Sequence, residues 1–166
     1  MRIIDPILKE LDQEAATTRR VLERVPDDKL GWKPHPKSMS LGQLSLHVAQ
    51  TPGTIAGFVT GPTLEISGGF AQQAAGSTGE VLSALDASLA RAKQVLSEMD
   101  DATAMSAWSL TRNGQTLMSM PRIAVVRTIM LNHWYHHRGQ LSVYLRELDV
   151  PGPAIYGPSA DENPFA

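Results

Sequence analysis

Apolar residues recur along this chain in four runs at spacings of three and four, the period of an amphipathic helix. In the first run Ile4, Ile7, Leu8, Leu11, Thr18, Val21, Leu22 and Val25 share one stripe, and Pro26 closes it. Asp27 to Ser40 is rich in Pro, Lys and Gly and reads as a loop. The second run opens at Ser40, whose hydroxyl can cap free N–H groups while Gln43 completes a capping box. Leu44, His47, Thr51, Ile55 and Phe58 then fall on one face. Pro52 lies inside this run and frees the carbonyl of Val48. On the back, Ala49, Gly53 and Gly57 are small enough to admit another backbone.

Thr60 to Ser77 is Gly-rich and aperiodic, long enough for a crossover between non-adjacent helix ends. Ser77 and Glu80 form a second capping-box pattern, and a third helix runs to about Met99 on Val81, Leu82, Leu85, Leu89, Ala92 and Leu96. Between 106 and 120, two strand-like segments flank Asn113-Gly114, which predicts a short exposed hairpin. Pro121 suits the first position of a last helix reaching about Asp149, with Ile123, Val126, Met130, His133, His137, Leu141, Tyr144 and Leu148 as its inward stripe. The prolines after residue 150 exclude a helix there, so this segment is expected to lie back along the bundle. No repeat or domain boundary shows. The expectation is one domain over residues 1–166, an all-α four-helix bundle with a short β-hairpin before its last helix.

Composition narrows the function classes. With 42% hydrophobic and 19% charged residues in 166, the chain has material for a core without staples. A net charge of −2 and no basic run argue against nucleic-acid partners or a membrane surface. No apolar stretch approaches the ~18 residues of a spanning helix, and the N-terminus has no apolar core of a signal peptide. A cytoplasmic protein is expected. Cysteine is absent, so any metal must be held by histidine or carboxylate, and any thiol chemistry must come from a bound thiol.

The histidines carry the chemistry. His133 and His137 are four apart and differ by only ~40° around a helix, so their rings can converge on one ion. Taken alone, this pair fits a metal site or two half-buried rings satisfied by hydrogen bonds about equally well. His47 changes the balance, because it too sits on an apolar face, where leucine would pack better. His47, His133 and His137 are therefore the candidate ligands of one divalent transition metal. Asn132 and Gln140 are placed to orient an imidazole from behind, with ordinary surface amides the alternative. His136 lies beside the seam, read as a flank residue contacting a neighbouring helix or solvent, with support of a ligand ring as its other role. His35, in a Pro-rich loop, is read as a surface residue able to reach the site's mouth. No HExxH, G-x-S-x-G or phosphate-binding glycine loop occurs. Three histidines without an adjacent carboxylate leave coordination positions open, the pattern of a catalytic site.

Several of these segments resemble the DinB-like (DNA-damage-inducible) superfamily: Gly31-Trp32-Lys33-Pro34-His35, Ser38-Met39-Ser40-Leu41-Gly42, Leu46-His47, Asn132-His133 through Leu141, and Tyr156 through Glu162. The resemblance implies a four-helix bundle in up-down-down-up order with a long crossover between helices 2 and 3. It implies a metal triad at His47, His133 and His137, and often a homodimer. Some relatives are metal-dependent transferases or isomerases that use bacillithiol, mycothiol or glutathione. The expectation is a thiol S-transferase-like enzyme acting on a small molecule, with zinc or nickel foremost and iron a further option. The alternatives are a metal-dependent hydrolase and a non-catalytic stress-response module with a structural metal. Asp161, Glu162 and His35 are the residues that could close such a structural site.

Overall fold

The computed structural model describes residues 1–69 and 72–166. Phe70 and Ala71, inside the stretch expected to form the crossover, lie outside the described residues. Helices α1 (Asp5–Leu22), α2 (Leu41–Phe58) and α3 (Thr78–Glu98) are followed by a short α4 (Asp101–Met105). A last helical run comprises α5 (Arg122–Val125), a π turn (Val126–Leu131) and α6 (Asn132–Glu147). Strands β1 (Thr63–Glu65), β2 (Ala107–Arg112) and β3 (Gln115–Pro121) form one mixed sheet.

This corrects the all-α four-helix bundle. β2 and β3 pair antiparallel across Asn113 and Gly114, whose φ of 50° and 74° is the left-handed backbone that Asn-Gly favours. β1 then adds to β2 in parallel, Thr63 opposite Ser109 and Glu65 opposite Thr111. A three-residue strand has no readable period, so its segment reads as mere connection. With α4, and counting Arg122–Glu147 as one run, the described residues hold five helices.

The cap of α2 forms as its sequence requires. Gln43 N–H donates to Ser40 Oγ at 3.2 Å, and Ser40 N–H donates to Gln43 Oε1 at 2.9 Å. At α3 only half the box closes, because the Glu80 carboxylate takes the Gly76 N–H at 2.7 Å instead.

Pro52 breaks the hydrogen-bond ladder of α2, and other helices repair it. The indole N–H of Trp134 on α6 donates to the Val48 carbonyl at 2.9 Å. Ser88 on α3 accepts the Gly53 N–H at 2.8 Å and donates to the Gln50 carbonyl at 3.1 Å. A Cβ at Gly53 would stand 2.7 Å from the Ser88 carbonyl oxygen, so glycine is what lets α3 approach this closely. Gly42 lies near Ala75, Gly53 near Ser88 and Gly57 near Arg91, so α2 and α3 run in the same direction. Arg122, buried, donates to the carbonyls of Val59 at 2.9 Å, Gly61 at 3.1 Å and Ala107 at 3.2 Å. It places a cation at the C-terminal end of α2 and ties the sheet over that end.

The last helix is rotated from its expected stripe. From Val126 onward its buried residues are Val126, Met130, Leu131, Trp134, Arg138, Leu141 and Leu145, whereas His133, His137, Tyr144 and Leu148 are only half-buried. The π turn over Val126–Leu131 buries Met130 and Leu131 together, and beyond it the core stripe runs on from Leu131, one residue past the expected one. The histidines thereby move from the centre of the core face to its edge.

Candidate metal centre

α2 presents His47 one residue before the carbonyl that Trp134 binds, and α6 presents His133 one residue before Trp134 itself. The same hydrogen bond therefore sets the distance between the two helices at the two histidines. His47 Nε2 and His133 Nε2 are 3.0 Å apart. His137, one turn on, brings its ring centroid to 4.6 Å from that of His47 and 4.3 Å from that of His133. The three rings stand edge to face, at 80–87° to one another. One ring nitrogen from each lies within 4.8 Å of the others. Ligands 2.0–2.1 Å from a tetrahedral ion are about 3.3 Å apart, so this set can take a metal with small ring movements.

Electrostatics favours the neutral, ligating form. Burial, reinforced by the adjacent His137 and His133, lowers His47 from its ordinary value to about 4. His133 is lowered by burial and by His136, and His137 by burial, against the opposing pull of its bond to Gln140. That bond runs from His137 Nδ1–H to Gln140 Oε1 at 2.7 Å. It fixes the tautomer with the Nε2 lone pair free for an ion. Gln140→Ala is expected to weaken metal binding roughly 10–100-fold. Titration against a competing chelator reads this directly, and an unchanged affinity would remove Gln140 from the site.

The depressed values also set a pH dependence. These rings take protons more readily in the unfolded chain than in the folded one. Their contribution to stability is complete above about pH 6.5 and is lost as pH falls toward about 4. Urea unfolding of metal-free protein should show stability declining through that window, and His47→Leu should flatten the decline. A decline of equal steepness in the variant would assign it to other groups.

Asn132 and His136 are exposed on α6. The His136 ring stands 5.0 Å from that of His137 at 67°. His35 is exposed in its loop, its Nδ1 accepting the Lys37 N–H at 3.2 Å. Asp161 pairs with Arg146 and accepts the Gly152 N–H at 2.7 Å. Glu162 pairs with Arg20 and Arg24 and accepts the Ala154 N–H at 3.0 Å. These two carboxylates fasten the tail to α1 and α6, and neither joins the histidines. Among the described residues the candidate donor set is three imidazoles.

The histidines border a cavity of about 440 Å³, within the range of small-molecule sites. Leu64, Leu110 and Met118 of the sheet form one wall, with Ile55, Phe58 and Ile129 from the helices. The sequence reading missed the sheet's part in this, since one short strand carries no signal and the hairpin reads as an exposed flap. Trp108 is buried at the junction, its indole N–H donating to the Phe58 carbonyl at 2.9 Å.

Fold and site together define a largely helical protein with a small mixed sheet and a two-helix, three-histidine candidate metal centre beside an apolar chamber. The chain belongs to the DinB family, whose model matches residues 4–164. Among solved structures it is similar to a DinB-like protein of Bacillus cereus ATCC 10987, at TM-score 0.70 and 22% identity, covering 90% of this chain and 95% of that one. It is also similar to a DinB-like protein of Bacillus subtilis, at TM-score 0.70 and 17% identity, covering 92% and 98%. At these identities the likeness is one of fold. No curated protein matches the sequence. No helix of the described residues is long and apolar enough to cross a membrane.

Proposed function

We propose that this chain is a metal-dependent enzyme whose single divalent ion, of the zinc, nickel or iron class, is held by His47, His133 and His137. The carrying observation is that three imidazoles, with no carboxylate among them, border a chamber of small-molecule size. An ion bound there supplies Lewis acidity, lowering the pKa of a thiol or water that reaches its open positions. The chain's own residues do the rest. Burial keeps the three rings unprotonated, and Gln140 orients His137. The sheet wall of Leu110 and Met118 gives the space beside the histidines an apolar side.

The chain has no cysteine, so a thiol that reaches the ion is a second substrate, and thiol transfer to an electrophilic small molecule is the reaction class we put first. Hydrolysis by an activated water is the other chemistry an open site supports. Metal-loaded protein should consume thiol against a panel of electrophiles, or cleave activated esters. Chelation should abolish the turnover and re-addition of zinc or nickel should restore it. If fully loaded protein did neither, the reading of this site as catalytic would be wrong.

A further inference from the structure

The cavity's walls say more about its occupant than the histidines do. None of its described lining residues is Asp, Glu, Lys or Arg. Among the described lining residues the only titratable groups are the three histidines of the candidate metal centre. Apolar side chains from α2, the sheet and the π turn surround the inner part. The polar lining residues are uncharged: Gln50, Thr54, Gln72 and Gln73 are exposed, and buried Thr51 has its hydroxyl committed to the His47 carbonyl. His47 and Phe58 both border the space and are separated by about 16 Å of helix rise. The chamber is thus long and bordered by donors at one end and aromatic and aliphatic groups at the other.

A carboxylate or ammonium carried into the part of that space lined by Ile55, Phe58, Leu64, Leu110 and Met118, away from the ion the histidines would hold, would lose its water and find no opposite charge among the described residues. We propose that the molecule filling this chamber is elongated, uncharged and largely apolar, with one donor or electrophilic end at the histidines. Its body lies along Ile55 and Phe58 beneath Leu64, Leu110 and Met118. A multiply charged thiol could approach the histidines only with its ionic groups outside the chamber. The inference rests on the reading of the chamber as the substrate space of the metal centre, and it names the class that space takes.

The test uses two fluorescent probes that share one framework. N-phenyl-1-naphthylamine is neutral, and 8-anilinonaphthalene-1-sulfonate carries a sulfonate on the same rings. The neutral probe should saturate at one per chain, with the sulfonate at least about tenfold weaker. Leu110→Arg places a cation in the chamber and should reverse that order, weakening the neutral probe while strengthening the anionic one. Met118→Lys, on the neighbouring strand, should do the same and serves if the first variant does not fold. Equal binding of the two probes by the wild type, or an order left unchanged by both variants, overturns the proposal. Metal content measured on the same samples separates the two readings. Metal-free protein that still prefers the neutral probe, with the reversal in the variants, upholds the chamber's class while the metal centre fails. Metal-loaded protein without the preference leaves the metal centre standing and rejects the neutral occupant.

Discussion

His137→Ala is expected to lower metal content from about one ion per chain towards zero after dialysis. Structural zinc sites gather about 10–16 kcal/mol from four ligands, so losing one of three histidines should cost several kcal/mol, roughly a hundredfold or more in affinity. The effect should be specific to ring direction. His136→Ala, one residue earlier on the exposed side of α6, should keep its ion. His137 faces His47 at a ring separation of 4.6 Å, and its Nδ1 is already committed to Gln140. Elemental analysis of the two variants beside the wild type decides the matter. Metal retained by His137→Ala, or lost by His136→Ala, would falsify the triad. Metal-free His137→Ala should unfold close to wild type, because removing a half-buried titratable ring relieves desolvation as it opens a small void.

The second large effect is on stability, at Arg138. Its guanidinium is 1% exposed and meets the Glu14 carboxylate, 14% exposed, at 2.6 Å. It also donates to Thr18 Oγ1 at 3.0 Å and to the Tyr156 hydroxyl. The rings of Tyr135 and Tyr156 lie 5.2 and 5.1 Å from it. α1, α6 and the tail converge on this one cation. Arg138→Met keeps most of the volume but leaves Glu14 without its buried counter-charge, at an expected cost of about 3–5 kcal/mol. For a chain of this length that is a fall in Tm of roughly 6–20 °C. Adding Glu14→Gln should recover part of the loss, since no lone charge then remains. A single variant within about 1 kcal/mol of wild type would show that the pair contributes little net stability. Because Arg138 follows His137 directly, the same variant should also loosen metal binding if the network helps hold α6 in place.

The parts of the fold that were legible are those encoded within a few residues. Ser40 and Gln43 announce the start of α2, and Asn113-Gly114 announces the turn between β2 and β3, because each motif satisfies its own backbone locally. Pro52 announces an open Val48 carbonyl, but not that Trp134 would fill it from another helix. The all-α four-helix bundle failed where the signal is non-local. β1 is too short to show a period and exists because β2 offers it an edge. The π turn leaves no mark on composition, yet one residue of register moves Trp134 and Arg138 into the core and His133 and His137 to its rim.

By itself, then, the sequence determined the first three helical periods, the cap of α2 and the donor chemistry: three histidines at helical spacing, no cysteine and no charge surplus. Spacing on a helix is enough to bring His133 and His137 together, since both ride on one rigid rise and twist. Only the tertiary structure decided that His47 reaches them and that burial lowers its proton affinity. Only it decided that Leu64, Leu110 and Met118 wall an apolar chamber beside the three rings. The physical reason is one of range. Caps and periods are settled by hydrogen bonds and burial within a turn or two. A cavity wall is settled by which distant segments find an edge, a carbonyl or a counter-charge left open by another.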